Sequence, residues 1–298
     1  MTAQTLALEI VEAKPGKIGA EIRGLDVNSL TGQSPELWMI RNLIYKNKLV
    51  VLRDQELDED RYVAFTRKFG RPQRYFQPQY HHPKYPEIFV SSNVPDENGK
   101  KIGVSGTGKY WHTDCQFEKN PLSFTSVYPL IFPKMSRETS YIDMVEMYKK
   151  LPADLKSYVD GATFIHGGQL RYKVQAEDID KSLRELLDRI NEQVPPVAHP
   201  AVIEHPVTGE KCLYVSSGFT TKRIGLSYEE NQQLMKALFD FIEQKEHIHT
   251  HYWEEGDLII WDNRSVIHKA SGVQPGETSK MYRVGIYDDL PFYVGIEN

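Results

Sequence analysis

Gly256-Asp257-Leu258-Ile259-Ile260-Trp261-Asp262-Asn263-Arg264-Ser265-Val266-Ile267-His268 is the stretch on which the fold turns. A Gly-Asp turn leads into an apolar run, a polar Asp-Asn-Arg turn follows, and a second short apolar run ends in a histidine. The pattern predicts buried strands around a tight connection. The same texture recurs outward. Residues 247–253 and Leu213-Tyr214-Val215 lie upstream, and residues 281–287 lie downstream. In the middle of the chain, residues 88–92, 122–127 and 140–142 are short, β-branched or aromatic, and bounded by Pro or Gly. Towards the N-terminus, residues 18–22 alternate and Leu49-Val50-Val51-Leu52 reads as a buried strand. Helices are fewer. Ser34-Pro35-Glu36 has the form of a helix start with Ser34 as N-cap, followed by Leu37, Ile40, Leu43 and Ile44 at helical spacing. Residues 58–69, closed by Gly70, and the amphipathic stretches 178–193 and 228–244 are the others. Many short strands, a few flanking helices and no strand-helix-strand rhythm predict a mainly β protein with flanking helices, a barrel or jelly roll. Without repeats or long linkers, residues 1–298 are expected to form one domain.

Composition narrows the class. Of 298 residues, 41 are acidic and 36 basic, a formal charge of −5 that argues against a nucleic-acid partner. No apolar run approaches membrane-spanning length, and residues 1–11 lack a secretory pattern. Two cysteines, Cys115 and Cys212, cannot build a disulfide framework, which fits a reducing cytosol, so a cytoplasmic protein is expected. The 17 Tyr and 10 His point instead to ligand pockets and metal sites.

Trp111-His112-Thr113-Asp114 is the second key stretch. On extended backbone, residues two apart share a side, so His112 and Asp114 project together. Alone the pair is weak, because roughly one His-x-acid pair arises by chance in this composition, and a strand histidine bonded to a neighbouring carboxylate is the better explanation of the pair by itself. His268 changes the weighing. Two His and one carboxylate form the facial triad of non-haem Fe(II) oxygenases, leaving open positions that a 2-oxo acid and O2 fill. Such a co-substrate needs a cation for its distal carboxylate. Arg283, on the apolar segment 281–287, is the candidate, and Thr139 adds a hydroxyl.

Taken together, His112-Thr113-Asp114, Thr139, Trp261-Asp262-Asn263-Arg264 before His268, and Arg283 resemble the taurine dioxygenase family of Fe(II)/2-oxoglutarate-dependent oxygenases. The likeness runs over nearly the whole chain, including residues 19–26 and Asp289-Leu290-Pro291-Phe292. It implies a double-stranded β-helix (jelly roll), with His112, Asp114 and His268 as iron ligands and 2-oxoglutarate and O2 as co-substrates. One departure stands out. The family places an Arg for 2-oxoglutarate soon after the second His and another, for the substrate acid, four residues on. Here the first position is Ser279 and only Arg283 remains, while the adjacent Lys280 points to the other strand face. Arg283 is therefore open to 2-oxoglutarate, substrate, or both.

Residues 80–92, Arg137-Glu138-Thr139, Tyr141-Ile142-Asp143, residues 171–175 and Gly218-Phe219-Thr220-Thr221 resemble the isonitrile-forming branch of that family, which serves isonitrile lipopeptide pathways. The resemblance implies conversion of a 3-(carboxymethylamino) fatty acid to a 3-isocyano fatty acid, with loss of CO2 and use of two 2-oxoglutarate and two O2. It implies that Lys173 and Arg283 grip substrate carboxylate, that Tyr75 and Tyr80 wall the pocket, and that Arg137 joins the charge cluster. The residue chemistry agrees in kind. A dicarboxylate amine needs more than one cation, and tyrosines give aromatic contact with a hydroxyl at a pocket rim. The expected partner is thus a small amino-acid or amino fatty acid substrate, with no nucleic acid and no membrane. Acyl chain length and oligomeric state stay open.

Other readings stand beside these. Hydroxylation or desaturation of another amino or sulfonic acid keeps the same iron chemistry. A zinc-binding, non-catalytic jelly roll would use His247, His249 and His251, which alternate on one face. His81 and His82 read as loop residues, Trp261 and the other tryptophans as core, and Cys115 as a packed thiol facing away from Asp114 on a regular strand.

Overall fold

The computed structural model describes residues 7–96, 98–135, 138–174 and 178–296. In chain order its elements are β1 (Glu9–Glu12), β2 (Ala20–Arg23), α1 (Pro35–Asn47), β3 (Leu49–Leu52), α2 (Glu59–Thr66), β4 (Arg71–Pro72), β5 (Phe89–Ser92), β6 (Phe124–Ile131) and β7 (Glu138–Asp143). Next come α3 (Met144–Lys150), α4 (Ala153–Val159), β8 (Thr163–His166), α5 (Leu183–Gln193), β9 (Val197–Pro200), β10 (Val202–Glu204), β11 (Lys211–Leu213) and β12 (Thr220–Arg223). The chain closes with α6 (Tyr228–Ile242), β13 (Ile248–Tyr252), β14 (Leu258–Asp262), β15 (Val266–Ala270) and β16 (Lys280–Tyr287).

The main sheet runs β1-β2-β3-β14-β6-β16-β4, with β5 also paired to β16. A smaller sheet, β13-β7-β15, is antiparallel throughout. The two form the jelly roll. The continuous apolar run of β14 explains its place at the centre. Leu258 and Ile260 point to the outer face, where they join Leu37, Ile40 and Ile44 of α1 and Tyr62 and Phe65 of α2. Ile259 and Trp261 point inward and meet Tyr141 and Val266 of the smaller sheet. Buried on both faces, such a strand reads as a continuous apolar run rather than an alternating one. The far side of the smaller sheet, Ile142 and Ile267, is covered by Met144 and Met147 of α3 and Leu234 and Leu238 of α6. Each fully buried side chain of this size contributes about 1.5–3 kcal/mol.

The helix stretch expected from residue 178 begins only at Leu183, because Ser182 and Glu185 close a reciprocal capping box there. Ser227 and Glu230 make the same box for α6. Ser34 does precede α1, but its hydroxyl accepts from the Thr31 N–H at 2.8 Å rather than from the helix. Gly70 ends the second helical stretch at φ 145°, and a Cβ there would lie 2.1 Å from the Tyr287 carbonyl oxygen. Not every tryptophan is core: Trp38 on α1 is 69% exposed. Among the described residues, no helix is long and apolar enough to cross a membrane.

Candidate metal centre and its cavity

His112 and His268 are fastened to each other by backbone. His112 N donates to the His268 carbonyl at 3.0 Å, and His268 N to the His112 carbonyl at 2.7 Å. This isolated bridge extends the smaller sheet by one residue beyond β15. Asp114 follows at the start of a turn, not on a regular strand. Its carboxylate sits 3.7 Å from Nε2 of His112 through Oδ1 and 3.7 Å from Nε2 of His268 through Oδ2. The ligand atoms of the three residues all lie within 4.8 Å of one another, and all three side chains are buried.

The protonation states suit a divalent cation. Burial pushes His268 down to about 3, with the neighbouring His112 adding to the effect. Burial likewise lowers His112. Burial alone would raise Asp114, but the Arg283 guanidinium above all, then electrostatic contact with the two histidines and a hydrogen bond from Thr125, outweigh it and hold the acid at about 2. Two neutral imidazoles and one carboxylate result. His112 Nδ1 lies 2.8 Å from the Tyr110 carbonyl and so carries the proton, which leaves Nε2 as a lone pair facing Asp114. Buried His268 Nδ1 has no partner among the described residues. The donor set fits Fe(II).

The Trp-Asp-Asn-Arg turn has a job at this centre. Trp261 Nε1 donates to Asn263 Oδ1 at 3.0 Å, Asn263 Nδ2 donates to Thr125 Oγ1 at 2.9 Å, and Thr125 Oγ1 donates to Asp114 Oδ2 at 2.7 Å. Arg264 is fully buried and ties the turn to the C-terminal segment through the Phe292 carbonyl at 2.7 Å and Asp288 Oδ1 at 2.9 Å. Asp262 Oδ2 pairs with His205 Nε2 at 2.8 Å. Neither Thr125 nor Asn263 is assigned a role from sequence. Their only signal is polar residues inside otherwise buried strands and turns.

A cavity of about 150 Å³ opens on the centre. Thr139, Arg283, Tyr75, Tyr80 and Lys173 all line it, together with His112, Asp114 and His268. Arg283 Nη1 lies 2.5 Å from Asp114 Oδ1, and its guanidinium sits 4.2 Å over the Phe89 ring. Tyr75 and Tyr80 stack at 6.0 Å, and with Tyr80 buried and Tyr75 half-buried they form an aromatic wall rather than an exposed rim. Lys173 Nζ donates to the Ser105 carbonyl, and burial, then Lys109 and Lys101, lower its pKa. Arg137 lies outside the described residues. Lys280 is absent from the cavity wall, whereas Met281 and Arg283 line it, as strand alternation predicts.

Two expectations change here. Cys115 does not face away. Its backbone is left-handed at φ 55°, which turns the thiol into the cavity wall beside Gln73. His247, His249 and His251, the alternative zinc ligands, do not bring three ligand atoms together; His251 Nε2 instead pairs with Asp257 Oδ2 at 3.0 Å. Arg171 is a further cation of the wall, stacked 4.2 Å over Tyr110 and bonded to the Gly218 carbonyl at 3.1 Å. Gly218 is required where it stands: a Cβ would fall 2.6 Å from the Tyr110 ring and 2.7 Å from the Trp111 carbonyl.

A family model described as taurine catabolism dioxygenase TauD, TfdA family matches residues 10–284. Alpha-ketoglutarate-dependent 2,4-dichlorophenoxyacetate dioxygenase of Cupriavidus pinatubonensis is 26% identical over 288 residues, which cover 91% of this chain and 94% of that protein. Pentalenolactone F synthase of Streptomyces arenae is 26% identical over 293 residues, 95% of this chain and 96% of that protein. The crystal structure of a taurine dioxygenase from Burkholderia xenovorans shares the fold at a TM-score of 0.76, with 24% identity over 98% of this chain and 95% of that one.

Proposed function

The chain belongs to the TauD, TfdA family and is an alpha-ketoglutarate-dependent dioxygenase with Fe(II), 2-oxoglutarate and O2 as its reaction partners; on that premise we propose that it converts a 3-(carboxymethylamino) fatty acid to a 3-isocyano fatty acid. The observation that carries this reading is the make-up of one cavity. Arg283, Lys173 and Thr139 offer a bidentate cation, a point charge and a hydroxyl to acids. Much of the remaining wall is apolar or aromatic, with Phe117, Phe219, Ile190 and Val194 suited to an alkyl tail.

In this reading His112, Asp114 and His268 hold the iron. Bound iron, with 2-oxoglutarate and O2, supplies the oxidising power. The chain's own residues bind and orient. Thr139 and Arg283 take carboxylate oxygens of the co-substrate. Lys173 and Arg283 take those of the substrate, and Tyr75 and Tyr80 press the substrate backbone against the centre. Overall the N–H, both methylene hydrogens and the carboxyl hydrogen of the glycine-derived arm leave as two waters, and its carboxyl leaves as CO2. That consumes two O2 and two 2-oxoglutarate. The test is anaerobically reconstituted enzyme given 3-(carboxymethylamino) acids of several chain lengths. Isonitrile detected by mass spectrometry supports the reading, and its absence across the panel sinks it.

The name of the 2,4-dichlorophenoxyacetate relative favours a second reading, hydroxylation or desaturation of a different acid by the same centre. That reading predicts succinate release with another amino or sulfonic acid and no effect of Lys173→Ala on it.

A further inference from the structure

Trp253 follows β13 directly, and its indole Nε1 lies 3.0 Å from Thr139 Oγ1. An indole N–H donates and never accepts, so the direction of this bond is fixed and the threonine oxygen is the acceptor. The threonine proton is then left for a different acceptor. Thr139 and Trp253 both line the cavity with His268 and Arg283. The Thr139 backbone is itself locked, because β7 is paired on both sides, with His251 opposite Thr139 on β13 and Ala270 opposite it on β15. With the backbone fixed, the hydroxyl still has to be oriented, and the indole restricts its rotation.

The indole is held in turn. His251 packs edge-on against it at 5.1 Å and 85°. His251 Nε2 is bonded to Asp257 Oδ2, which also accepts from the Glu254 N–H at 2.9 Å. Asp257 is fully buried and receives two hydrogen bonds from Arg53, at 2.8 and 2.9 Å. A buried ion pair thus steadies the turn that carries Trp253.

We propose that Trp253 is a positioning residue that makes the Thr139 hydroxyl a hydrogen-bond donor toward the distal carboxylate of 2-oxoglutarate. This rests on the reading of Thr139 as a co-substrate contact. Trp253 touches neither the reacting atoms nor the iron ligands in this role; it acts through Thr139.

The experiment measures 2-oxoglutarate affinity of the Fe(II)-loaded protein without O2, by the visible absorbance that forms on binding, for Trp253→Phe, Thr139→Val and the double variant. Steady-state kcat and KM are measured alongside. Trp253→Phe is expected to raise the 2-oxoglutarate Kd and KM about three- to ten-fold, with kcat at saturation and Fe(II) affinity unchanged. Thr139→Val is expected to weaken binding at least as much, and the double variant no more than Thr139→Val, because the indole then has no hydroxyl to orient. If Thr139→Val leaves affinity unchanged, the co-substrate reading of Thr139 fails. If Thr139→Val weakens binding but Trp253→Phe does not, or if the two factors multiply, the positioning role alone is overturned. Should Trp253→Phe not fold, benzothienylalanine at position 253 removes the N–H while keeping the ring shape, and the same outcomes apply.

Discussion

Arg283 reaches from β16 to place Nη1 2.5 Å from Oδ1 of Asp114, so the cation expected to hold an acid also touches the carboxylate expected to hold iron. After burial, which alone would raise the acid's pKa, Arg283 is the strongest influence on Asp114 and holds it ionised. On the proposed reading, one side chain therefore serves two neighbours, an acid bound in the cavity and the triad beside it.

Arg283→Ala is expected to weaken whichever acid Arg283 holds by roughly ten- to a hundred-fold, the loss of a charged hydrogen bond of ~1.5–3 kcal/mol. Arg283→Lys should recover only part, because an ammonium cannot make the paired contact. Separate KM values for 2-oxoglutarate and for the amine acid decide which one responds. Unchanged KM for both refutes the assignment.

Thr125→Val removes the hydrogen bond to Asp114 Oδ2, and Asn263→Ala removes the donor that orients Thr125, in neither case altering a triad residue. Fe(II) affinity should fall about 10- to 100-fold, the usual effect of losing a partner that orients a ligand. Calorimetric titration with Fe(II) under argon checks it, and an unchanged affinity would show that the Trp-Asp-Asn-Arg turn is only structural.

The sequence displays this centre only in part, for physical reasons. Periodicity located β14, because a central strand buried on both faces must be apolar throughout, and spacing plus chemistry located His112, Asp114 and His268. Nothing in a one-dimensional pattern showed that His112 and His268 share backbone hydrogen bonds across 156 residues. Cys115 departs from strand alternation because its backbone is left-handed, which turns its side chain to the cavity. Trp253 was hidden among core aromatics, since only its hydrogen bond to Thr139 separates it from them. Lys173 was legible through its neighbours, and its contact with Ser105 is a tertiary fact.

His166 gives a pH prediction away from the centre. Burial, then the nearby His199, hold it down to about 3, below the unfolded value near 6.5. As pH falls from 6.5 toward 3, the unfolded chain takes a proton that the folded chain refuses, so stability is lost over that window. The slope is at most about 1.4 kcal/mol per pH unit for this one group. In urea melts across pH 7 to 4, His166→Phe should show a shallower loss of stability; an identical slope would sink the idea.

Asp257→Ala should destabilise the fold by about 3–5 kcal/mol, since it leaves buried Arg53 with Glu21 as its main remaining partner and frees the turn carrying Trp253. Thermal unfolding followed by circular dichroism is the check, with a midpoint lowered by several degrees expected. A midpoint within one degree of the parent would contradict it.

His112→Ala, Asp114→Ala and His268→Ala should each abolish turnover while leaving a folded chain, because each removes one of three donors from a triad with no spare ligand among the described residues. Full activity in any one of them would refute the triad.

The most direct measurement is the ratio of succinate to product when the Fe(II)-loaded enzyme turns over a 3-(carboxymethylamino) fatty acid with excess 2-oxoglutarate and O2. Two succinates per 3-isocyano acid, with one CO2 from the glycine-derived arm, is the predicted result. One succinate per hydroxylated or desaturated acid, with no isonitrile, would contradict it.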